Sequence, residues 1–366
     1  MIKLFEVAGF KNFKDILTVD FSDVHDYQFH SECITDGLVG KMIVYGKNSV
    51  GKSNLGLAMF DLISHLTDQN VGPRLYDYSL NSENAPDHAW FHYQFQFGTD
   101  VVDYAYKKDD KRSLIFEEVK INQQQLFSYD FVSKTGELDG IKVLAPTLNL
   151  DFSGIVSVLR YLIHNSVLPE QHPLRALMRF VNSMLWFRNL DENRFIGYKN
   201  KADDYLNYIF EPTVLEEFQT FLHQAGITDK LVVHENPDGN KVLYFDKAKP
   251  LPFLKTASSG THALYTLFYW LKTAKDVSLL FIDEFDAYYH YELAEQIVKM
   301  LEQMHNTQVI LTSHNTNLLS NRIMRPDCYF ILSDGKLTSF VNATNRELRE
   351  GHNLEKLYMS GEFNGS

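Results

Sequence analysis

The sequence predicts an α/β protein with a largely parallel sheet, and three observations predict it. The first is Gly46-Lys47-Asn48-Ser49-Val50-Gly51-Lys52-Ser53, set between a short apolar run and a helical pattern. The second is a later apolar run, Leu279 to Ile282, that ends in the acid pair Asp283-Glu284. The third is the alternation of apolar runs with helical stripes over the last hundred or so residues, the pattern of strands joined by crossover helices.

The glycine-rich stretch fits the phosphate-binding loop: Gly, four residues, then Gly-Lys-Ser. Met42 to Tyr45 reads as a buried parallel strand. Asn54 to Leu66 reads as the following helix, with Leu55, Met59, Leu62 and Leu66 on one stripe. In such a loop Gly46 and Gly51 let the backbone curl so that several N–H groups face phosphate oxygens, and Asn48, Ser49, Gly51 and Asn54 are expected to contact the nucleotide. The helix start adds its positive dipole end. Lys52 reaches the β/γ-phosphates, and the Ser53 hydroxyl binds Mg²⁺. The chain is therefore expected to bind a nucleoside triphosphate.

Composition limits the function classes. Of 366 residues, 45% are apolar, with 27 Phe and 20 Tyr, which is ample for a core in one large domain or two. A net charge of −12 argues against a surface that is basic all over, so nucleic-acid binding would be local. No apolar run approaches membrane-span length, and Lys3 and Glu6 interrupt the apolar start that a secretory signal needs. The expectation is a soluble cytoplasmic protein. Cys33 and Cys328, far apart in sequence, imply neither a disulfide framework nor a zinc site.

In chain order, Ile2 to Val7 and Leu17 to Phe21 are strand-like, and residues 22 to 40 are loop-like. Trp90 to Phe97, Val101 to Tyr106 and Leu114 to Ile121 alternate between polar turns and predict an antiparallel β lobe. From Asp151 the spacing turns helical. Val156, Leu159 and Ile163 form one stripe, and Leu174, Leu177, Met178, Val181 and Leu185 another. These predict a helical insert. Leu231 to Val233 and Val242 to Phe245 make a hairpin around Asn236-Pro237-Asp238-Gly239-Asn240. Thr261 to Lys272 and Tyr291 to Met304 are helices among the apolar runs. The expected organisation is an ATPase lobe with phosphate-binding loop and β subdomain over 1–150, a helical insert over 151–228, and a second ATPase lobe over 229–366.

At the end of its strand, Asp283 is placed to hold Mg²⁺ and Glu284 to polarise an attacking water. Ser258-Ser259-Gly260 precedes a helix, where it is either an N-cap or an anion site. Thr312-Ser313-His314 follows another apolar run, which puts His314 near the γ-phosphate.

Loop, Ser-Ser-Gly signature, acid pair and strand-end histidine, in that order, resemble the ABC-type ATPase head of the SMC, RecF and OLD superfamily. The likeness is greatest to the small bacterial AAA-fifteen ATPases of anti-phage defence and abortive infection. Gly9-Phe10-Lys11-Asn12-Phe13-Lys14 is similar to their opening motif. Asp283 to Ala287 with His290 and Glu292, and Leu354 to Tyr358 with Gly361 and Phe363, resemble their acid-pair run and tail. Ala257, Tyr288 and Tyr289 depart from the family pattern. The resemblance implies ATP and Mg²⁺ as ligands and a head-to-tail homodimer or higher oligomer. In it, Ser258, Ser259 and Gly260 of one copy touch the γ-phosphate held by Lys52 of the other, with Asp286 at the seam. It also implies a sensor or regulator of a separate effector, such as a nuclease or toxin. A RecF-like DNA-repair ATPase and a nucleotide-locked scaffold are the alternatives.

No glutamine loop is fixed: Gln94, Gln96 and Gln123 to Gln125 are candidates, and surface or strand glutamines the simpler reading. The insert carries Arg160, Arg175, Arg179, Arg188, Arg194, Lys199 and Lys201 among Phe180, Trp186, Phe187, Phe195 and Tyr198. A solvated helix face over an aromatic core is favoured there over a nucleic-acid surface.

Overall fold

Two seven-stranded sheets carry the chain. The computed structural model describes residues 1–69, 73–83, 85–189, 194–197, 205, 207–236, 238–273 and 276–363. In the central sheet the strand order is Arg194–Gly197, Leu185–Asn189, Leu279–Ile282, Gln308–Thr312, Lys41–Tyr45, Tyr329–Ser333, Lys336–Ser339. The five inner strands run parallel, and the two edge strands are antiparallel to their neighbours. Every residue of Lys41–Tyr45, Leu279–Ile282 and Gln308–Thr312 is buried, as strands covered on both faces require.

Register then decides where the chemistry falls. Ile282 pairs with Leu311, Leu311 with Ile43, and Thr312 with Val44. The residues that follow, Asp283-Glu284, Ser313-His314 and Gly46, therefore leave the sheet at one edge. That carboxyl edge is where open α/β sheets bind ligands.

The second sheet is antiparallel throughout: Thr135–Glu137, Gln124–Asp130, Leu114–Ile121, Asp100–Lys108, Ala89–Phe97, Ile2–Ala8, Leu17–Asp20. The β lobe expected from 90 to 121 is present, with two further strands, Gln124–Asp130 and Thr135–Glu137. Ala89–Phe97 alternates buried and half-buried residues over most of its length, so one face packs inward. The helix Lys52–Phe60 lies between the sheets. A Cβ at Gly56 would meet Trp186 at 3.0 Å and Phe281 at 3.1 Å, and from the other sheet the Tyr93 hydroxyl donates to the Ala58 carbonyl at 2.9 Å. The stripe Leu55, Met59, Leu62, Leu66 is fully buried, although the helix stops at Phe60 and a short one, Ile63–Leu66, follows.

Asp61, at that break, is buried with Lys108, 2.6 Å away, and also accepts from the Tyr106 hydroxyl. Burial lowers the Lys108 pKa despite the carboxylate beside it. Removing the carboxylate strands a buried cation, so Asp61→Ala is expected to cost about 3–5 kcal/mol. A urea titration checks this, and Asp61→Ala/Lys108→Met is expected to recover most of the loss.

The insert differs from expectation in two respects, the first being that Val156, expected on a helical stripe, precedes the helix and is exposed. Val158–Asn165, Pro173–Asn182 and Pro212–Gln224 are helices. Leu185, placed on a helical stripe by its spacing, instead opens the strand Leu185–Asn189, parallel to Leu279–Ile282. The helix ends at Asn182, Ser183 leaves helical dihedrals, and Leu185, Trp186 and Phe187 are buried in the central sheet. The insert thus builds one edge of the central sheet. Trp186, Phe187 and Phe180 are core residues, Arg175 and Arg179 pair with Glu170, and Arg160 with Asp68, which fits a solvated face over an aromatic core. Lys199, Lys201 and Tyr198 lie outside the described residues, as does Pro237 of the hairpin Leu231–Glu235/Lys241–Phe245.

The loop-like stretch 22–40 contains a short 3-10 turn, Ser31–Cys33, and a tight hairpin, Ile34–Thr35 with Leu38–Val39. Asp36 and Gly37 at its tip both take positive φ, as an Asp-Gly turn of this kind requires. At the other end, Leu354–Met359 is helical, capped by the Asn353 side chain, and Phe363 packs on Phe340 with ring centroids 4.3 Å apart. No helix among the described residues is long and apolar enough to cross a membrane.

Candidate functional site

Beyond Tyr45 the chain turns sharply. A Cβ at Gly46 would sit 2.6 Å from the Leu332 carbonyl, so the turn needs glycine, and Gly51 enters the helix at φ +110°. Ser49 also takes positive φ. Lys52 is buried. Its ammonium donates to the carbonyls of Gly46 (2.9 Å) and Lys47 (3.2 Å), and its third contact is His314 Nε2 at 2.9 Å. An ammonium only donates, so His314 accepts through Nε2, and in the neutral ring its proton is on Nδ1. Burial pulls the Lys52 pKa below the usual lysine range, more than Glu284 and Asp283 raise it.

The acid pair is set by the neighbouring strand. The Thr312 hydroxyl donates to Asp283 Oδ1 (2.7 Å) and accepts from the Glu284 N–H (2.7 Å). Glu284 takes φ +44°, unusual for a non-glycine residue, and the Phe285 N–H donates to the Thr312 carbonyl. This kink turns the Glu284 side chain out of the sheet, with Oε1 3.9 Å from His314 Nε2. Ser53, exposed at the helix start, and Asp283 supply only oxygen donors, which suits Mg²⁺.

Lys52, Ser53, Glu284 and His314 share one cavity of about 370 Å³, and Gly46 and Asp283, also expected at the site, are not among its lining residues. Asn48, Ser49, Gly51, Lys52, Ser53 and Asn54 line it with Glu284 and His314, as the sequence predicted, and Asn12 lines it as well. Asn12 Nδ2 donates to the Ser49 carbonyl at 3.1 Å, and Asn54 donates to Asn12 Oδ1. Asn12 is thus a site residue that motif reading did not place there. The signal lay in the Gly9–Lys14 turn, which carried only the family likeness.

Ser258, Ser259 and Gly260 are elsewhere. Ser258 Oγ accepts from the Thr261 N–H at 3.2 Å, an ordinary cap for the helix Ser259–Thr273. A Cβ at Gly260 would lie 2.6 Å from the Tyr288 carbonyl. Ser258 and Gly260 line a cavity of about 340 Å³ with Gly226, Tyr288 and Tyr289, apart from the phosphate-loop cavity. Within one chain, then, the signature does not join the loop. Asp286 accepts from Ser313 Oγ at 2.7 Å, and burial raises its carboxyl above the usual range. The candidate glutamines are in the β lobe: Gln94 donates to Asp103, and Gln125 to Ser128 and Glu137.

The family model described as "AAA domain, putative AbiEii toxin, Type IV TA system" matches residues 41–320. No curated protein matches the chain. Similar solved structures include an SmcHead bound to the C-winged helix domain of ScpA, 14% identical, with TM-score 0.44 over 92% of this chain and 97% of that one. Another is the SMC head domain from Thermotoga maritima, 14% identical, with TM-score 0.45 over 92% and 98%. A third is the Smc head domain with an extended coiled coil, bound to the C-terminal domain of ScpA, from Pyrococcus furiosus; it is 13% identical, with TM-score 0.47 over 92% and 96%.

Proposed function

The chain belongs to the AAA-domain family described with the putative AbiEii toxin, and from this and the site's geometry we propose that it binds ATP with Mg²⁺ and hydrolyses it between two copies of itself. The observation that carries the reading is the convergence of Lys52, His314 and Glu284 on the cavity beside the glycine-rich turn. Lys52 exchanges the Gly46 and Lys47 carbonyls for β/γ-phosphate oxygens, and the loop N–H groups cradle the same phosphates. Ser53 and Asp283 would hold Mg²⁺, which would supply charge neutralisation at the phosphates. Glu284 takes a proton from the attacking water, and His314 contacts the γ-phosphate.

The second copy follows from what one chain lacks. Ser258, Ser259 and Gly260 stand at the start of a helix whose N-terminus suits an anion, yet Ser258 and Gly260 line a different cavity from the loop. In a head-to-tail pair they close over the partner's γ-phosphate and exclude water, with Asp286 at the seam. Nucleotide state is then coupled to assembly, and a separate effector reads it. The family description, with its toxin and toxin–antitoxin wording, supports a defence role. The test is phosphate release over a range of protein concentrations. The specific rate is expected to rise with concentration, and a constant rate would remove the dimer.

Thr312 is expected to be a positioning residue for this chemistry. Thr312→Val keeps the shape but removes both hydrogen bonds to the acid pair, worth about 1.5–3 kcal/mol where a charged group is involved. Phosphate release should fall roughly 10-fold or more with ATP affinity little changed. An equal loss of affinity would show that Thr312 shapes the binding site itself.

A further inference from the structure

Far along the sheet from that edge, the Ser31–Cys33 turn meets the end of the helix Tyr291–Glu302. His30, Glu32 and Glu302 place one ligand atom each within 4.8 Å of one another. His30 Nδ1 is 3.3 Å from Glu32 Oε1 and 4.0 Å from Glu302 Oε1, and Cys33 Sγ is 3.5 Å from that same Glu302 oxygen. Ligands about 2.0–2.3 Å from a tetrahedral ion are spaced by roughly these distances.

The orientation of His30 is the decisive feature. Its Nε2 is 3.0 Å from the Asn321 carbonyl, which can only accept, so the proton is on Nε2. In the neutral ring Nδ1 is then a bare lone pair facing two carboxylate oxygens. That arrangement repels unless the ring takes a second proton or a metal cation lies between them. A ring nitrogen donating to a backbone carbonyl while the other faces acidic donors is how metal-bound histidines are held. Glu302 is buried at the end of its helix, and the buried Cys33 thiol donates to its Oε1. The nearby Lys41 ammonium is occupied by the Met304 and Thr307 carbonyls.

We propose that His30 Nδ1, Glu32 and Glu302 form a binding site for a divalent transition-metal ion, best suited to zinc. One histidine with two carboxylates is a donor set that zinc takes, with water in the fourth position, and the imidazole sets it apart from an Mg²⁺ or Ca²⁺ site. The ion would clamp the 30–32 turn to the helix that follows the acid pair, and its role would be structural. The ligands come from two segments far apart in sequence, so no spacing motif announces them.

The test uses the full chain, stripped with chelator and assayed without nucleotide, with Zn²⁺ and then Co²⁺ alone as probes. Wild type is expected to retain about one Zn²⁺ per chain and to melt at a higher temperature with it. Bound Co²⁺ should show visible absorption that His30→Gln abolishes. Glu32→Gln, at a half-exposed position that the fold tolerates, should weaken Zn²⁺ binding by more than the roughly 10–100-fold typical of an outer-shell change. A wild type that fails to retain Zn²⁺ would overturn the site. So would a Co²⁺ spectrum unaltered by His30→Gln, or Zn²⁺ affinity unaltered by Glu32→Gln. In those cases His30 pairs with Glu32 and Glu302 directly.

Discussion

Lys52→Ala is expected to weaken ATP binding by at least about 100-fold, or about 2.7 kcal/mol, and to bring phosphate release to background. The side chain is buried and its charge already lies inside the turn, held by the Gly46 and Lys47 carbonyls and His314. It is preorganised beside the space the phosphates fill, where each charge-assisted bond is about twice as strong as a neutral one. Alanine also leaves two loop carbonyls without their donor. Lys52→Arg is expected to rescue little, because a planar fork cannot replace a compact ammonium among two carbonyls and an imidazole. Equilibrium binding of a fluorescent ATP analogue checks the affinity. Affinity equal to that of wild type would remove the loop from the site.

Glu284→Gln should act on the chemical step alone. General-base groups contribute roughly 10²–10⁴-fold, so phosphate release should fall by that factor. Binding should survive, because Thr312 holds the backbone of residue 284 through its N–H, while the side chain is exposed and the amide keeps its shape. With hydrolysis blocked and closure allowed, ATP-bound pairs should accumulate, seen as a larger species by size-exclusion chromatography with Mg-ATP. Rates that are near zero in both wild type and Glu284→Gln would instead favour a nucleotide-locked scaffold. Unchanged, substantial rates would assign the base elsewhere.

The parts of the site carried on short runs of sequence were legible. Gly46 to Asn54, Asp283-Glu284 and His314 each follow an apolar strand, and parallel register brings those strand ends together. What could not be read were contacts between distant segments. Asn12 reaches Ser49 and Asn54 across the two sheets, and Thr312 sets Asp283 and Glu284 from the next strand. Nothing in the spacing of either residue reports its partner. Leu185 was misread for a different reason. Its spacing continues the stripe of Leu174 to Val181, and a strand buried on both faces has no alternation to distinguish it from helix. Gln124–Asp130 opens on two exposed glutamines, so its apolar content fell below what marks a strand.

The most direct test of shared catalysis is complementation between two inactive variants. Lys52→Ala keeps the signature and loses the loop's cation. Ser259→Arg keeps the loop and puts a bulky cation at the helix start meant for the partner's phosphate. Each alone should be near background. Mixed in equal amounts, half the pairs form one intact composite site, so phosphate release should return to about a quarter of wild type on random pairing. A mixture no more active than its components, or a Ser259→Arg protein with full activity by itself, would contradict an ATP site built from two chains.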